Sequence, residues 1–127
     1  MKKETKLWFD LAQEDYKNMG IMAKSKSNRG AVFFAQQSVE KLIKAYIVEY
    51  KNEAPRKTHR IEALIKDAGL RVENISVKDI EELSKSYTWV RYPDLSIRFY
   101  TKKEEVEKLL ITAKKVFLWV NKKFKNN

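Results

Sequence analysis

The sequence contains no cysteine, a single histidine, only three glycines and two prolines. Without cysteine there are no disulfides, no thiolate metal ligands and no thiol nucleophile. So few glycines and prolines leave little material for the many tight turns of an all-β fold. No stretch approaches the roughly 18–20 apolar residues of a membrane span, and the N-terminus lacks the apolar run of a signal peptide. These absences favour an all-α, cytoplasmic protein without a membrane partner.

The composition that remains is that of a globular protein with a basic surface. Of the 127 residues, 43% are hydrophobic and 35% are charged, which predicts one folded domain over residues 1–127. Lysine and arginine number 27 against 17 acidic residues, so the formal charge is +10. This excess favours a polyanionic partner such as RNA, DNA or a nucleotide, the alternative being a lysine-rich surface that serves solubility alone.

Residues 28–47 form the most informative segment of the chain. Apolar side chains cover most of the circumference of the predicted helix, and they are Ala31, Val32, Phe34, Ala35, Val39, Leu42, Ile43, Ala45, Tyr46 and Ile47. The remaining stripe is polar and consists of Gln37, Glu40, Lys41 and Lys44. A helix with so wide an apolar surface must be covered from more than one side. It is therefore the centre of a bundle or part of a subunit interface, and we expect a homodimer.

Five helices are predicted, over residues 5–23, 28–51, 58–68, 76–92 and from 101 onward. The signals for their ends are Asn28, Thr58, Ser76 and Thr101 with Glu104 at the starts, and Gly69 and Pro93 near two of the stops. The loops between the helices are short, which favours antiparallel neighbours. The predicted architecture is an up-and-down helical bundle.

Two charged residues fall on predicted inner faces. The first helix has an apolar face of Trp8, Leu11, Ala12, Met19 and Met22, with Asp15 in its middle. Arg91 lies on the inner row of the fourth helix, one turn after Tyr87. An arginine that points inward needs an acceptor or a water-filled cleft. Asp15 is the candidate partner in a structural ion pair, and an anion-binding Arg91 is the compatible alternative.

His59 follows Thr58 at a predicted helix start. Because the chain has no second histidine and no cysteine, we expect no metal site and no cofactor. As a general base His59 would need a partner such as Lys41 or Glu40, and the alternative is that it caps the helix or packs. We find no phosphate-binding glycine loop and no Ser-His-Asp arrangement. From these residues alone, nothing indicates an enzyme.

Four blocks taken together resemble the HEPN domain family. They are Trp8…Ala12…Asp15, the run Phe33-Phe34-Ala35-Gln36-Gln37-Ser38-Val39-Glu40-Lys41-Leu42-Ile43-Lys44-Ala45, Thr58-His59, and Arg91-Tyr92-Pro93-Asp94. The resemblance implies a helical bundle related to the substrate-binding domain of nucleotidyltransferases, usually dimeric. It also implies a nucleotidyltransferase protein as a partner, in a toxin–antitoxin-like pair.

The same resemblance divides the expected activities. Many members look like metal-independent ribonucleases with an Arg-x(4–6)-His motif, whereas no histidine follows Arg91 and the corresponding positions hold Ser96, Ile97 and Arg98. The chain therefore resembles a non-catalytic nucleotide- or RNA-binding member. The alternative is a ribonuclease toxin with an atypical site of Arg91 and His59. The predicted ligand-binding residues are Arg91, Tyr92, Asp94, Lys41, Lys44 and Gln37.

Overall fold

The computed structural model describes residues 1–92, 94 and 102–124, and the regular elements within these ranges are all helical. The helices are α1 (Lys3–Lys24), α2 (Asn28–Tyr46), α3 (Ile61–Asp67), α4 (Val77–Arg91) and α5 (Lys103–Asn121), with a π-helical turn at Ile47–Lys51 that continues α2. The prediction of an all-α bundle of five helices is confirmed. The predicted cap at Thr101 lies outside the described residues.

Helix α2 is the centre of the bundle. The other four helices α1, α3, α4 and α5 all pack against it, and its buried residues are spread around the helix. Its wide apolar surface is therefore covered within one chain. Of the two predicted locations, the centre of a bundle and a subunit interface, the structure shows the first. The apolar surface of α2 no longer gives a reason to expect a dimer.

The helix ends follow local backbone chemistry, with small differences from the prediction. Ser76 caps α4 by accepting a hydrogen bond from the Asp79 N–H, and Gly69 follows α3 with a φ of 69°, which glycine adopts without strain. Asn28 is the first residue of α2 instead of its cap. Helix α3 begins at Ile61 and not at Thr58, because the Thr58 hydroxyl accepts from the Arg60 N–H in a local turn before the helix.

Aromatic contacts join α1 to α5 on one side of α2. The rings of Tyr16 and Phe117 stack with centroids 3.9 Å apart, and those of Phe9 and Phe124 meet edge to face at 5.1 Å. Burial raises the pKa of the Tyr16 hydroxyl, so that group stays neutral at ordinary pH. Leu11, predicted on the inner face of α1, is 46% exposed, because the buried stripe of α1 is narrower than its apolar pattern. None of the described helices has the length and apolar character needed to cross a membrane.

The structure pairs Asp15 with Lys41 and not with Arg91. The Lys41 Nζ lies 2.6 Å from Asp15 Oδ2, and the two side chains are 22% and 10% exposed. Helices α1 and α2 pack side by side along their length, so the nearest cation to Asp15 comes from α2. The predicted ion pair between Asp15 and Arg91 is wrong.

We expect the Asp15–Lys41 pair to show a coupling in a double-mutant cycle. Asp15→Ala should lower the free energy of unfolding by about 2–3 kcal/mol, because the Lys41 ammonium then lacks its partner in a partly buried place. The double variant Asp15→Ala with Lys41→Met should lose less than the sum of the two single variants. Denaturant unfolding measures these values, with Asp15→Ala in an Arg91→Ala background as the control. A coupling below about 0.5 kcal/mol would show that the pair contributes nothing.

Candidate functional site

His59, Tyr87 and Arg91 meet in one stack. The His59 ring lies 3.6 Å from the Tyr87 ring centre and nearly parallel to it, at 11°. The Arg91 guanidinium carbon also lies 3.6 Å from the Tyr87 ring centre. Two groups this close to one ring centre cannot share a face, so they cover opposite faces of Tyr87. We call His59, Tyr87, Arg91 and the adjoining Phe33 the Tyr87 cluster.

Helix α4 places Arg91 in this cluster. Tyr87 and Arg91 are four residues apart and therefore neighbours on one helical face. The Arg91 Nη1 donates to the Tyr87 backbone oxygen at 3.0 Å, and its guanidinium lies 4.7 Å from the centre of the Phe33 ring on α2. A planar guanidinium is well suited to such aromatic faces. Arg91 occupies the predicted inner row, and its neighbours there are aromatic rings.

A buried carboxylate holds His59 from the other side. The His59 Nδ1 lies 3.0 Å from Glu40 Oε1, and the Glu40 side chain is only 5% exposed. Gln36 Nε2 donates to the same oxygen at 2.9 Å and to the His59 backbone oxygen at 3.0 Å. Glu40 Oε2 faces Lys44 Nζ at 3.1 Å. Helix α2 therefore fixes both the ring and the backbone of His59.

The polar stripe of α2 lies largely inside the protein. Glu40 and Lys44 are 5% and 7% exposed, and Lys44 Nζ also lies 5.4 Å from the Trp8 ring centre. Lys41 pairs with Asp15, and Gln37 Nε2 donates to Gln36 Oε1 at 2.7 Å. The three α2 residues predicted to bind a ligand, Gln37, Lys41 and Lys44, are each engaged with a side chain of their own protein.

The other two predicted ligand residues lie just beyond α4. Tyr92 follows the last residue of α4 and is 48% exposed, and Asp94 is exposed as well. The structure thus gives the predicted residues different environments. Arg91 is half-buried in an aromatic cluster, Tyr92 and Asp94 are at the surface beside it, and the α2 residues are in internal contacts.

A cleft of about 480 Å³ borders the histidine side of the cluster. Ten residues line it: Lys57, Thr58, His59, Arg60, Glu62, Glu81, Ser84, Lys85, Tyr87 and Thr88. The His59 side chain is 46% exposed, so a bound molecule can reach the ring from this cleft. Within the described ranges, no three carboxylate or histidine side chains are arranged as metal ligands.

The arrangement puts a proton acceptor on one face of the Tyr87 ring and a phosphate-binding group on the other. An imidazole held by a carboxylate can accept a proton through its other nitrogen, and a guanidinium presents several N–H donors to an oxyanion. Lys41 and Glu40 were the two residues predicted as partners for His59 acting as a base, and Glu40 is the one in contact with its ring. The sequence prediction did not include the burial of Gln36, Glu40 and Lys44. Their spacing of four residues puts them on one face of a helix that is apolar around most of its circumference, and this pattern was the available signal of burial.

A comparison with protein-family models agrees with this fold. The family model of the HEPN domain matches residues 5–123, a range that includes the whole Tyr87 cluster and its supports on α2. Neither the search of curated proteins nor that of solved structures returns a match. The family match favours a function related to nucleotides or RNA.

We expect the Glu40 carboxylate to be essential for the stability of the site. Glu40→Gln keeps the shape of the side chain but leaves the buried Lys44 ammonium without an anion, so the free energy of unfolding should fall by about 2–4 kcal/mol. Combining it with Lys44→Met should recover part of the loss, since no buried charge then remains unpaired. Glu53→Gln, the same change at an exposed position, is the matched control for denaturant unfolding. Equal stability of the Glu40→Gln and Glu53→Gln variants would contradict the expectation.

Proposed function

Since the chain belongs to the HEPN domain family, we propose that it is a non-catalytic HEPN-type protein that binds a phosphate of a nucleotide or of RNA at the Tyr87 cluster. One observation carries the proposal. Within the described part of the chain, the Arg91 guanidinium has aromatic rings and a backbone carbonyl as its neighbours, with no carboxylate at ion-pair distance. Its charge is held in place by contacts that carry no full negative charge.

The charge of the whole chain supports the same proposal. The formal net charge of +10 attracts polyanions over distances comparable to the screening length. At close range the Arg91 guanidinium has five N–H donors, of which the bond to the Tyr87 carbonyl uses one. Paired N–H donors of this kind bind phosphate oxygens with defined geometry. Long-range attraction and a fixed guanidinium together suit a phosphate ligand.

Metal-independent RNA cleavage is the second candidate, and the Glu40–His59 contact of 3.0 Å favours it. In that reaction His59 would take the proton of a ribose 2′-hydroxyl, the 2′-oxygen would attack the adjacent phosphorus, and the 5′-oxygen would leave and take up a proton. Arg91 would stabilise the charge on the phosphate oxygens. We place binding first because no histidine follows Arg91 in the sequence.

A nucleotidyltransferase protein is the partner that we propose, in a toxin–antitoxin-like pair. The support is the family membership and the resemblance to the substrate-binding domain of nucleotidyltransferases. A neighbouring gene for a minimal nucleotidyltransferase would favour this pairing over a solitary interaction module.

We also propose a homodimer, and the surface of α1 offers a reason that α2 does not. Leu7 and Leu11 are one turn apart on α1 and are 63% and 46% exposed, a pair of large apolar side chains that association would cover. Light scattering over a dilution series should give the mass of a dimer at micromolar concentration. Leu7→Glu should shift the mass toward the monomer, whereas Val77→Glu, at an exposed apolar position on α4, should not. A monomer throughout the series would refute the dimer.

The central test of function uses single-stranded RNA carrying a 5′-phosphate, incubated with the protein in EDTA. We expect binding that weakens as salt rises, with no cleavage. Arg91→Ala should weaken binding about tenfold, because it removes charge-assisted hydrogen bonds to phosphate. Arg71→Ala, at an exposed position before α4, is the control of equal charge. Binding that ignores Arg91→Ala would contradict the proposal, and cleavage abolished by His59→Ala would replace it with the ribonuclease.

A further inference from the structure

A second arginine is fixed at the same end of α4. Arg29, in the first turn of α2, is exposed, and its Nε donates to the Val90 backbone oxygen at 2.7 Å. Arg91 Nη1 donates to the Tyr87 backbone oxygen at 3.0 Å. The two accepting carbonyls are three residues apart in one helix, or about 4.5 Å of helix rise. Two guanidiniums from two helices are therefore held over the last turn of α4.

Neither arginine has an acidic partner among the residues that the structure describes. Elsewhere in those ranges the arginines that lie near carboxylates form ion pairs, as Arg56 does with Asp67 at 2.6 Å and Arg60 with Glu62 at 3.6 Å. Arg29 and Arg91 instead use backbone carbonyls, which satisfy one or more N–H groups but carry no full negative charge. Two like charges are thereby fixed near each other, an arrangement that an anion between them would stabilise.

The remaining donors suit a phosphate group. Each guanidinium has five N–H groups, and among the described residues each makes one hydrogen bond to the backbone, which leaves other donors for a ligand. The backbone bonds and the stacking of Arg91 on Tyr87 also restrict both side chains before any ligand arrives, which lowers the entropy that binding must remove. The donors thus belong to two side chains that are anchored to carbonyls three residues apart in α4.

We propose that Arg29 and Arg91 together bind a phosphomonoester, the terminal phosphate of a nucleotide or of an RNA end. This inference rests on the proposed function and adds a second residue and a ligand class to it. A phosphomonoester carries a charge of about −1.5 to −2 at pH 7 and three acceptor oxygens. It therefore matches two guanidiniums better than an internal diester, which carries one negative charge and two such oxygens. The site therefore binds a terminal phosphomonoester more tightly than the internal phosphodiesters of an RNA chain.

The test compares ligands that differ only in the terminal phosphate. The probes are one short RNA with either a 5′-phosphate or a 5′-hydroxyl, labelled at its 3′ end, and a nucleoside monophosphate beside its nucleoside. We expect the phosphorylated member of at least one pair to bind about tenfold more tightly, as measured by fluorescence anisotropy for RNA and calorimetry for the small ligands. The pair that shows the preference identifies the source of the phosphate.

Variants at Arg29 test whether this residue causes the preference for the phosphorylated ligand. Arg29→Ala should remove most of the preference, and Arg29→Lys should restore only part of it, because an ammonium keeps the charge without the planar fork of donors. Arg71→Ala should leave the preference intact, and equal unfolding midpoints of the variants confirm that each is folded. Equal binding of both members of each pair, still dependent on Arg91, would overturn this inference and leave the proposed function standing. Absence of binding to every probe would overturn both.

Discussion

The burial of the Glu40 carboxylate is the constraint on which the rest of the site depends. A carboxylate that is only 5% exposed remains charged at low cost only where donors and a counter-ion replace its water. Helix α2 supplies two of these from its own face, since Gln36 and Lys44 stand one turn before and one turn after Glu40. His59 is the third, and it comes from a distant part of the chain. Because the buried Glu40 carboxylate needs polar partners, the segment around His59 is held against the central helix α2.

The segment around His59 is joined to α4 by the stacking of the His59 ring on the Tyr87 ring. His59 covers one face of Tyr87 and Arg91 the other, while Ser84, one turn before Thr88 on α4, accepts a hydrogen bond from the Ile61 N–H at the start of α3. The His59–Tyr87 stack and the Ile61–Ser84 hydrogen bond are each modest, but both join the segment 58–61 to the same face of α4. The guanidinium of Arg91 thus takes its position from a chain of contacts that begins in the core. A surface arginine on a free side chain would have no such restraint.

The sequence predicted the elements of this structure better than their partners. The helical periodicity, the Ser76 cap and the Gly69 stop are local signals, and the structure has all three. The inward position of Arg91 follows from its spacing to Tyr87. The partner of Asp15 did not follow, because periodicity tells which face is buried and not which neighbouring helix covers it. The Glu40–His59 contact joins residues nineteen apart in sequence. The end of α2, its π-helical turn and a stretch of irregular backbone lie between them, and no local rule fixes that geometry.

The cations of the protein separate into two groups by how their charge is balanced. Lys41 and Lys44 are paired with carboxylates at 2.6 and 3.1 Å, and removing their charge would leave buried acids alone, so their role is in the fold. Arg29 and Arg91 are held by carbonyls and aromatic rings, contacts that position a guanidinium without neutralising it. The C-terminal end of α4 favours such cations, because they satisfy its last carbonyls and interact with the negative end of the helix dipole. That partial charge is smaller than the two full positive charges brought to it. A net positive charge therefore remains at the end of α4, where an anion would be attracted, and this is the physical reason for assigning binding to the end of α4 and support to α2.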